Sequence, residues 1–203
     1  MTADPHPHAH WLEAAPPPTI RGAALILRRW RLGDLDVFDT AITESLDALS
    51  PWMEWAAGHE RRSARQFLQA VDPAWRDRTA FNYAVVDTTG RVLGGAGLHA
   101  RIGTGGLEIG YWVRTGATRR RVATRSAALL TAAALDLDGV DRTEIHHDRA
   151  NELSGRVPRR LGYEQAETVV RSRRAPGESG IEVRWRMTSE RYATSMARTL
   201  VAG

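Results

Sequence analysis

The segment spanning residues 107–139 constrains the fold of this chain more than any other. LEIGYWV (107–113) has the composition of a strand, and a helix begins near Val122 and runs to Gly139. The loop between them has no acidic residue and, with the helix's first turn, carries five arginines: Arg114, Arg119, Arg120, Arg121 and Arg125. A helix N-terminus offers unpaired amides and the positive end of a dipole. The segment therefore predicts a polyphosphate site, although charge alone fits a solvated basic turn equally well.

The rest of the chain alternates strand and helix patterns without an internal repeat. One strand is followed by two helices, three strands, the long helix, a strand, a short helix and a final pair of strands. The strands are predicted over residues 23–30, 81–87, 91–99, 107–113, 143–148, 163–172 and 181–187. This order predicts a mixed sheet with helices packed on it, in the α/β or α+β class.

The composition excludes several classes of site. The 203 residues include no cysteine, which rules out disulfides, thiolate nucleophiles and iron–sulfur clusters. We expect a flexible tail over residues 1–18 and one domain over residues 19–203. His6, His8 and His10 alternate in that tail, but an unpacked tail does not fix ligand geometry, so we expect no metal site.

The sequence also bears on the location of the protein and on nucleic-acid binding. It has no apolar run long enough to span a membrane and no export signal, so a cytoplasmic protein is expected. All 28 basic residues are arginines, which fits biased codon usage. The arginines of residues 114–125 and 156–174 lack the interleaved aromatic side chains that stack on bases, so nucleic-acid binding is not expected.

Several motifs, in a fixed order, resemble those of the GNAT acetyltransferase superfamily. Residues 108–130 resemble its central strand, pyrophosphate loop and helix. LRRWRLGDLDVF (27–38) and SPWMEWA (50–56) resemble the branch that contains the RimJ and RimL N-terminal protein acetyltransferases. RVLGGAGL (91–98) resembles the preceding strand, and residues 146–165 resemble the N-x-x-S-x-x-V-x-x-x-L-G-F/Y element. The resemblance implies a mostly antiparallel sheet of about seven strands flanked by about four helices.

The resemblance implies an N-acetyltransferase that moves an acetyl group from acetyl-CoA, its co-substrate, directly to a primary amine. The amine would belong to a protein N-terminus or a small molecule, and a homodimer is compatible with the exposed strand and C-terminal helix. The implied cofactor-binding residues are Tyr111, Trp112, Val113, Arg119, Arg120, Arg121, Val122, Ala123, Thr124 and Asn151.

The resemblance also implies catalytic and acceptor-binding residues. Glu108 matches the position that often acts as base through a water molecule, and Ser154 matches the serine that assists the leaving thiolate. Trp52, Met53 and Trp55 would form an aromatic wall for the acceptor, whereas the residues alone favour a plain core role for Trp52 and Trp55.

The chain departs from the family pattern at one position. The loop pattern Q/R-x-x-G-x-G/A falls on residues 118–123, where Arg121 replaces the first glycine. A positive φ there would cost a non-glycine residue about 1–2 kcal/mol, and a Cβ would hinder close approach of a pyrophosphate. The alternative is therefore a degenerate or repurposed fold that is non-catalytic or uses another ligand.

Overall fold

The computed structural model describes residues 11–22 and 24–202, which contain an eight-stranded sheet. Its order is β1-β2-β3-β4-β5-β6-β8-β7. The strands are β1 (Thr19–Gly22), β2 (Leu25–Arg29), β3 (Ala80–Val86), β4 (Val92–His99), β5 (Gly106–Val113), β6 (Arg142–Asp148), β7 (Glu164–Val170) and β8 (Ile181–Thr188). The predicted α/β class is confirmed, and β1 is the strand that the prediction of about seven did not include.

The α-helices of the described residues lie between the strands and after the last strand. They are α1 (Leu35–Thr43), α2 (Leu46–Leu49), α3 (Glu54–Ala57), α4 (Arg61–Arg76), α5 (Val122–Leu135), α6 (Glu152–Leu161), α7 (Ser189–Tyr192) and α8 (Met196–Ala202). Four of them, α1, α4, α5 and α6, have nine or more residues and correspond to the four expected. In the part of the chain that the structure describes, no helix has the length and apolarity needed to cross a membrane.

β5 and β6 are parallel neighbours, and their backbone pairing ends after the first residues of each strand. β5 and β6 pair from Gly106 with Arg142 to Glu108 with Glu144. β5 then continues to Val113 and β6 to Asp148 without further pairing between them. The other neighbours in the sheet are antiparallel. The sheet therefore opens between the carboxyl ends of β5 and β6.

Local sequence explains the elements around this opening. Asp87 accepts hydrogen bonds from the amides of Thr89 and Arg91, and Gly90 has a φ of 85°, so the predicted turn joins β3 to β4 as a hairpin. α5 buries Ala127, Ala128 and other small or aliphatic side chains and packs against β4 and β5. Small residues on this face allow the helix to lie close to the sheet.

The N-terminal segment differs from the predicted tail. Leu12 is completely buried in the core, the Tyr83 hydroxyl donates to the Pro17 carbonyl over 2.9 Å, and the Arg29 amide donates to the Pro18 carbonyl over 2.8 Å. The expectation of a flexible tail is wrong for residues 11–18 because Leu12 supplies apolar surface that the core buries. Residues 1–10, with the three alternating histidines, lie outside the described residues.

Replacing Leu12 tests this packing. Leu12→Ala is expected to lower the free energy of unfolding by about 2–5 kcal/mol because it removes buried methyl groups and leaves a cavity. The matched control is Leu153→Ala, whose side chain is 72% exposed, with an expected change within about 0.5 kcal/mol. Urea denaturation measures both, and equal effects would contradict the packing of the N-terminal segment.

Candidate active site

A cleft of about 560 Å³ lies at the opening of the sheet. The cleft is lined by eight of the residues that the sequence analysis singled out: Trp52, Met53, Trp55, Glu108, Tyr111, Trp112, Asn151 and Ser154. Val113 and the loop residues 119–124 do not line it. The structure therefore brings the predicted catalytic and acceptor residues together, with the arginine loop set apart from them.

Glycines form the floor of the cleft. Side chains alternate between the two faces of a strand. One face of β5 therefore carries Glu108, Gly110 and Trp112. On the neighbouring strand β4, Gly97 lies opposite Gly110 and Gly95 lies opposite Trp112. A Cβ at Gly95 would lie 2.5 Å from the Trp112 indole nitrogen. Trp112 can therefore lie flat against the sheet only because that position has no side chain.

Aromatic side chains form one wall. The Trp112 ring makes edge contacts with Phe38 of α1 at 6.1 Å and with Trp55 of α3 at 6.4 Å between ring centroids. Trp55 is 46% exposed, and Trp52 and Met53 are half-buried. Neither Trp52 nor Trp55 belongs to the buried core, so both contribute surface to the cleft.

Glu108 is held in an ion pair. Arg101 donates from Nε to one carboxylate oxygen over 2.8 Å and from Nη2 to the other over 2.6 Å. Burial acts to raise the pKa of Glu108, but the hydrogen bonds and charge of Arg101 outweigh it and hold that pKa below its usual range. Glu108 is therefore ionised, with both oxygens already engaged.

His99 is a cleft residue that the sequence analysis missed. It is the cross-strand partner of Glu108, and its Nε2 lies 3.2 Å and 3.4 Å from the positions that a Cβ would take at Gly97 and Gly110. Burial, followed by the charge of Arg101, lowers the pKa of His99 to about 4, so the ring is neutral. The register of the β4–β5 hairpin was the signal that could have found it.

The adjacent histidines of β6 point to opposite faces. His147 is buried, and its Nδ1 donates to the Asp148 carbonyl over 2.8 Å while its Nε2 accepts from Trp185 over 3.0 Å. Both nitrogens are satisfied, so His147 has a packing role. His146 lines the cleft, with its Nε2 2.8 Å from a carboxylate oxygen of Glu144. In the described residues, no group of three or more side chains could hold a metal ion.

Tyr111 reaches from β5 to the start of α6. Its hydroxyl lies 3.1 Å from the Ser154 carbonyl, to which it donates, and 3.2 Å from the Ser154 hydroxyl. Burial raises the pKa of Tyr111, so it stays protonated and can donate. Asn151 caps α6 by accepting from the Ser154 amide over 3.1 Å, which leaves its NH₂ group to donate elsewhere.

The loop before α5 has an anchored start and an open end. Arg114 donates to Glu44 over 2.7 Å, and the Thr115 amide donates to the buried hydroxyl of Ser45 over 3.0 Å. Arg121 is the N-cap residue of α5 in the left-handed conformation, with φ 59°, and makes no side-chain capping bond. Among the described residues, no acceptor bonds the amides of residues 119–124. These amides therefore form a candidate anion site.

The β7–β8 loop closes the far side of the cleft. Asp148 accepts from the amides of Ala150, Ser179 and Gly180 and from the Ser179 hydroxyl, over 2.7–3.0 Å. Burial acts to raise the pKa of Asp148, but these bonds outweigh it and lower that pKa to about 2. The Gly177 amide then donates to the Pro51 carbonyl over 2.8 Å, which ties this loop to the aromatic segment.

A comparison with protein families decides the class of this site. The family model described as the acetyltransferase (GNAT) domain matches residues 24–164. The chain belongs to the GNAT acetyltransferase family. Its open parallel pair, β5 and β6, and its loop before α5 lie within the matched region. No curated protein matches this GNAT sequence.

Solved structures share the fold of this GNAT protein. RimJ from Mycobacterium smegmatis in complex with a CoA disulfide has a TM-score of 0.78 at 21% identity, covering 91% of this chain and 92% of its own. The microcin C7 self-immunity acetyltransferase MccE in complex with acetyl-CoA and AMP has 0.76 at 14%, covering 82% and 93%. Ribosomal-protein-S5-alanine acetyltransferase from Vibrio fischeri has 0.72 at 14%, covering 86% and 98%.

Replacing Arg121 tests the backbone of the loop. Arg121→Gly is expected to raise the free energy of unfolding by up to about 1.6 kcal/mol. Relief of the left-handed conformation gives about 1–2 kcal/mol, and the greater freedom of glycine in the unfolded chain removes about 0.4–1 kcal/mol. The control is Arg120→Gly, which lacks a positive φ and should lose about 0.4–1 kcal/mol. Equal losses in urea denaturation would contradict strain at Arg121.

The carboxylate of Asp148 should make stability depend on pH. Its folded pKa lies below its unfolded value, so its contribution is present above the unfolded pKa of about 3.9 and is lost as pH falls towards the folded value. Asp148→Asn should therefore be less stable than the wild type at pH 7, with a smaller difference at pH 3. Asp138→Asn, an exposed carboxyl, is the control. A difference that is constant over this range would count against the assigned hydrogen bonds.

Proposed function

We propose that this GNAT protein transfers the acetyl group of acetyl-CoA directly to a primary amine, without a covalent enzyme intermediate. One observation supports this most strongly: β5 runs from the polar and aromatic cleft, where it separates from β6, towards the loop whose amides precede α5. The pyrophosphate would bind the amides of residues 119–124, with Arg119, Arg120 and Arg121 adding charge. The pantetheine arm would follow Tyr111, Trp112 and Val113.

Groups on the α6 side would assist the leaving sulfur. The Ser154 and Tyr111 hydroxyls are hydrogen-bonded to each other across the opening. Tyr111 donates its one hydrogen to the Ser154 carbonyl. The Ser154 hydroxyl would therefore be the group that turns to donate to a thiolate as the C–S bond breaks, the role predicted for Ser154. The NH₂ group of Asn151 is free to donate to a pantetheine carbonyl, since its oxygen caps α6.

The acceptor would enter along the aromatic wall of Trp52, Met53 and Trp55. The neighbours include protein acetyltransferases, RimJ and the S5-alanine enzyme, and a self-immunity acetyltransferase, MccE. We therefore retain both acceptor classes, a protein N-terminus and a small-molecule amine. Glu108 would place a fixed negative charge beside the acceptor, and its predicted role as base stays a prediction.

The geometry of the loop favours catalysis over a degenerate fold. Arg121 adopts the left-handed conformation that glycine favours. The backbone therefore follows the path that a glycine would allow, and the Arg121 side chain is exposed. The homodimer also stays a prediction, and the edge strand β7, with Val170 84% exposed, would be a surface available for it.

Acetyl-CoA binding tests the anion site. Calorimetry is expected to give one molecule bound per chain, and Ala123→Asp should weaken binding at least about tenfold because it places a carboxylate among the loop amides. An aspartate in the first turn of a helix is favourable, so the variant should stay folded. Ala123→Asn, similar in size and uncharged, is the control and should retain binding.

Turnover then tests the transfer. The chain has no cysteine, so a thiol reagent reports only the CoA released. Tyramine and a hexapeptide with a free N-terminal alanine represent the two acceptor classes. Acetyl-CoA binding that is absent, or unchanged by Ala123→Asp, would refute the proposed site.

A further inference from the structure

His146 lies where the sheet opens. Glu144 is the last residue of β6 that pairs with β5, and His146 is two residues further along, on the same face. Its side chain is 11% exposed and lines the cleft. An acetyl group entering through the opening would therefore pass close to this imidazole.

Glu144 fixes the orientation of the ring. Its carboxylate lies 2.8 Å from His146 Nε2 and accepts from Arg186 over 2.9 Å. Burial acts to raise the pKa of Glu144, but the bonds to His146 and Arg186 outweigh it and lower that pKa to about 2. An ionised carboxylate only accepts hydrogen bonds, so His146 Nε2 carries the hydrogen and Nδ1 keeps a free lone pair.

The free nitrogen faces the cleft. His146 Nδ1 lies 3.7 Å from a Glu108 oxygen and 3.8 Å from a Glu182 oxygen. Both distances exceed a hydrogen bond. Nδ1 is therefore available to a third group placed between the two carboxylates, and a primary amine or ammonium matches that surrounding charge.

Three other proton acceptors near His146 are less suited to the task. Arg101 engages both oxygens of Glu108. His99, with its pKa lowered to about 4, holds a proton weakly. Glu182 lies within 3.0 Å of Arg171 and 2.8 Å of Arg184. Of these groups, His146 alone combines a free nitrogen with a carboxylate that orients it, the arrangement of an activated base.

We infer that His146, oriented by Glu144, is the base that takes the proton from the acceptor amine. The inference rests on the proposed acetyl transfer. The acceptor enters as the neutral amine, its ammonium proton having been left in solvent. The amine nitrogen bonds to the thioester carbonyl carbon and passes one further proton to His146 Nδ1. The C–S bond breaks, and the sulfur keeps the electron pair and takes a proton from Ser154. His146 then releases its proton to solvent, and Ser154 recovers one.

The pH dependence of the reaction rate should reveal this base. The charged and titratable groups around His146 come from its own strand and from β4, β5, β8 and the β4–β5 connection: Glu144, His99, Glu108, Glu182, Arg184, Arg186 and Arg101. When His146 is protonated it no longer accepts a proton, so kcat/KM should fall on the acidic side.

The test compares three variants with the wild type, using tyramine, the N-terminal alanine hexapeptide and, with amine omitted, water as acceptors. With rates expressed per neutral amine, which removes the substrate's own ionisation, His146→Gln should lower kcat by about 100-fold or more and abolish the remaining acidic limb of kcat/KM. Glu144→Gln should lower kcat and leave the KM for the amine within about threefold, because the imidazole loses the ionised acceptor that orients it, a split that a merely structural role would not give. Glu108→Gln should keep the limb.

Two controls distinguish loss of the base from loss of the folded structure. Acetyl-CoA affinity within about threefold of the wild type shows that His146→Gln is folded, and added imidazole should restore part of the rate to His146→Ala. A His146→Gln rate within threefold of the wild type at every pH, or loss of the limb in Glu108→Gln instead, would overturn the inference and leave acetyl transfer intact. A wild type that binds no acetyl-CoA would overturn both.

Discussion

The parallel pairing of β5 and β6 stops after three residue pairs, and the rest of the site depends on where it stops. Ligands of open α/β sheets bind outside the carboxyl ends of parallel strands. Here those ends separate, so backbone groups of Ile109 to Val113 are released from the sheet on that side. The same separation places Glu108, at the last pair, at the edge of the cleft.

β5 also sets the distance between the two halves of the site. Glu108 lies near its start, and the loop that leads to α5 follows Val113. At about 3.3 Å per residue, Glu108 and Val113 are about 16 Å apart along the strand. An extended arm of that length would connect the amides of residues 119–124 to the cleft. The bonds from Arg114 to Glu44 and from Thr115 to Ser45 anchor the start of this loop to the turn between α1 and α2.

The sequence was sufficient for elements whose signals are local. The β3–β4 turn, β5 and the start of α5 depend on neighbouring residues, and their predictions are confirmed. The sequence was insufficient to predict contacts between residues that are far apart in the chain. Leu12 is one of many apolar residues, and only the folded core shows that it is needed. Glu108 was recognised, but its pairing with Arg101 depends on the register of a hairpin. The tie between Gly177 and Pro51 has no local signal.

The arginine-only composition has a structural consequence at this site. Arginine holds carboxylates in paired hydrogen bonds, which lysine does not. Arg101 holds Glu108, and Arg186 donates to Glu144. A carboxylate held this way stays ionised, because the arginine lowers its affinity for protons. It therefore provides a fixed charge and is a poor base. Proton transfer in such a cleft falls to a group that the arginines leave free, and His146 Nδ1 meets that requirement.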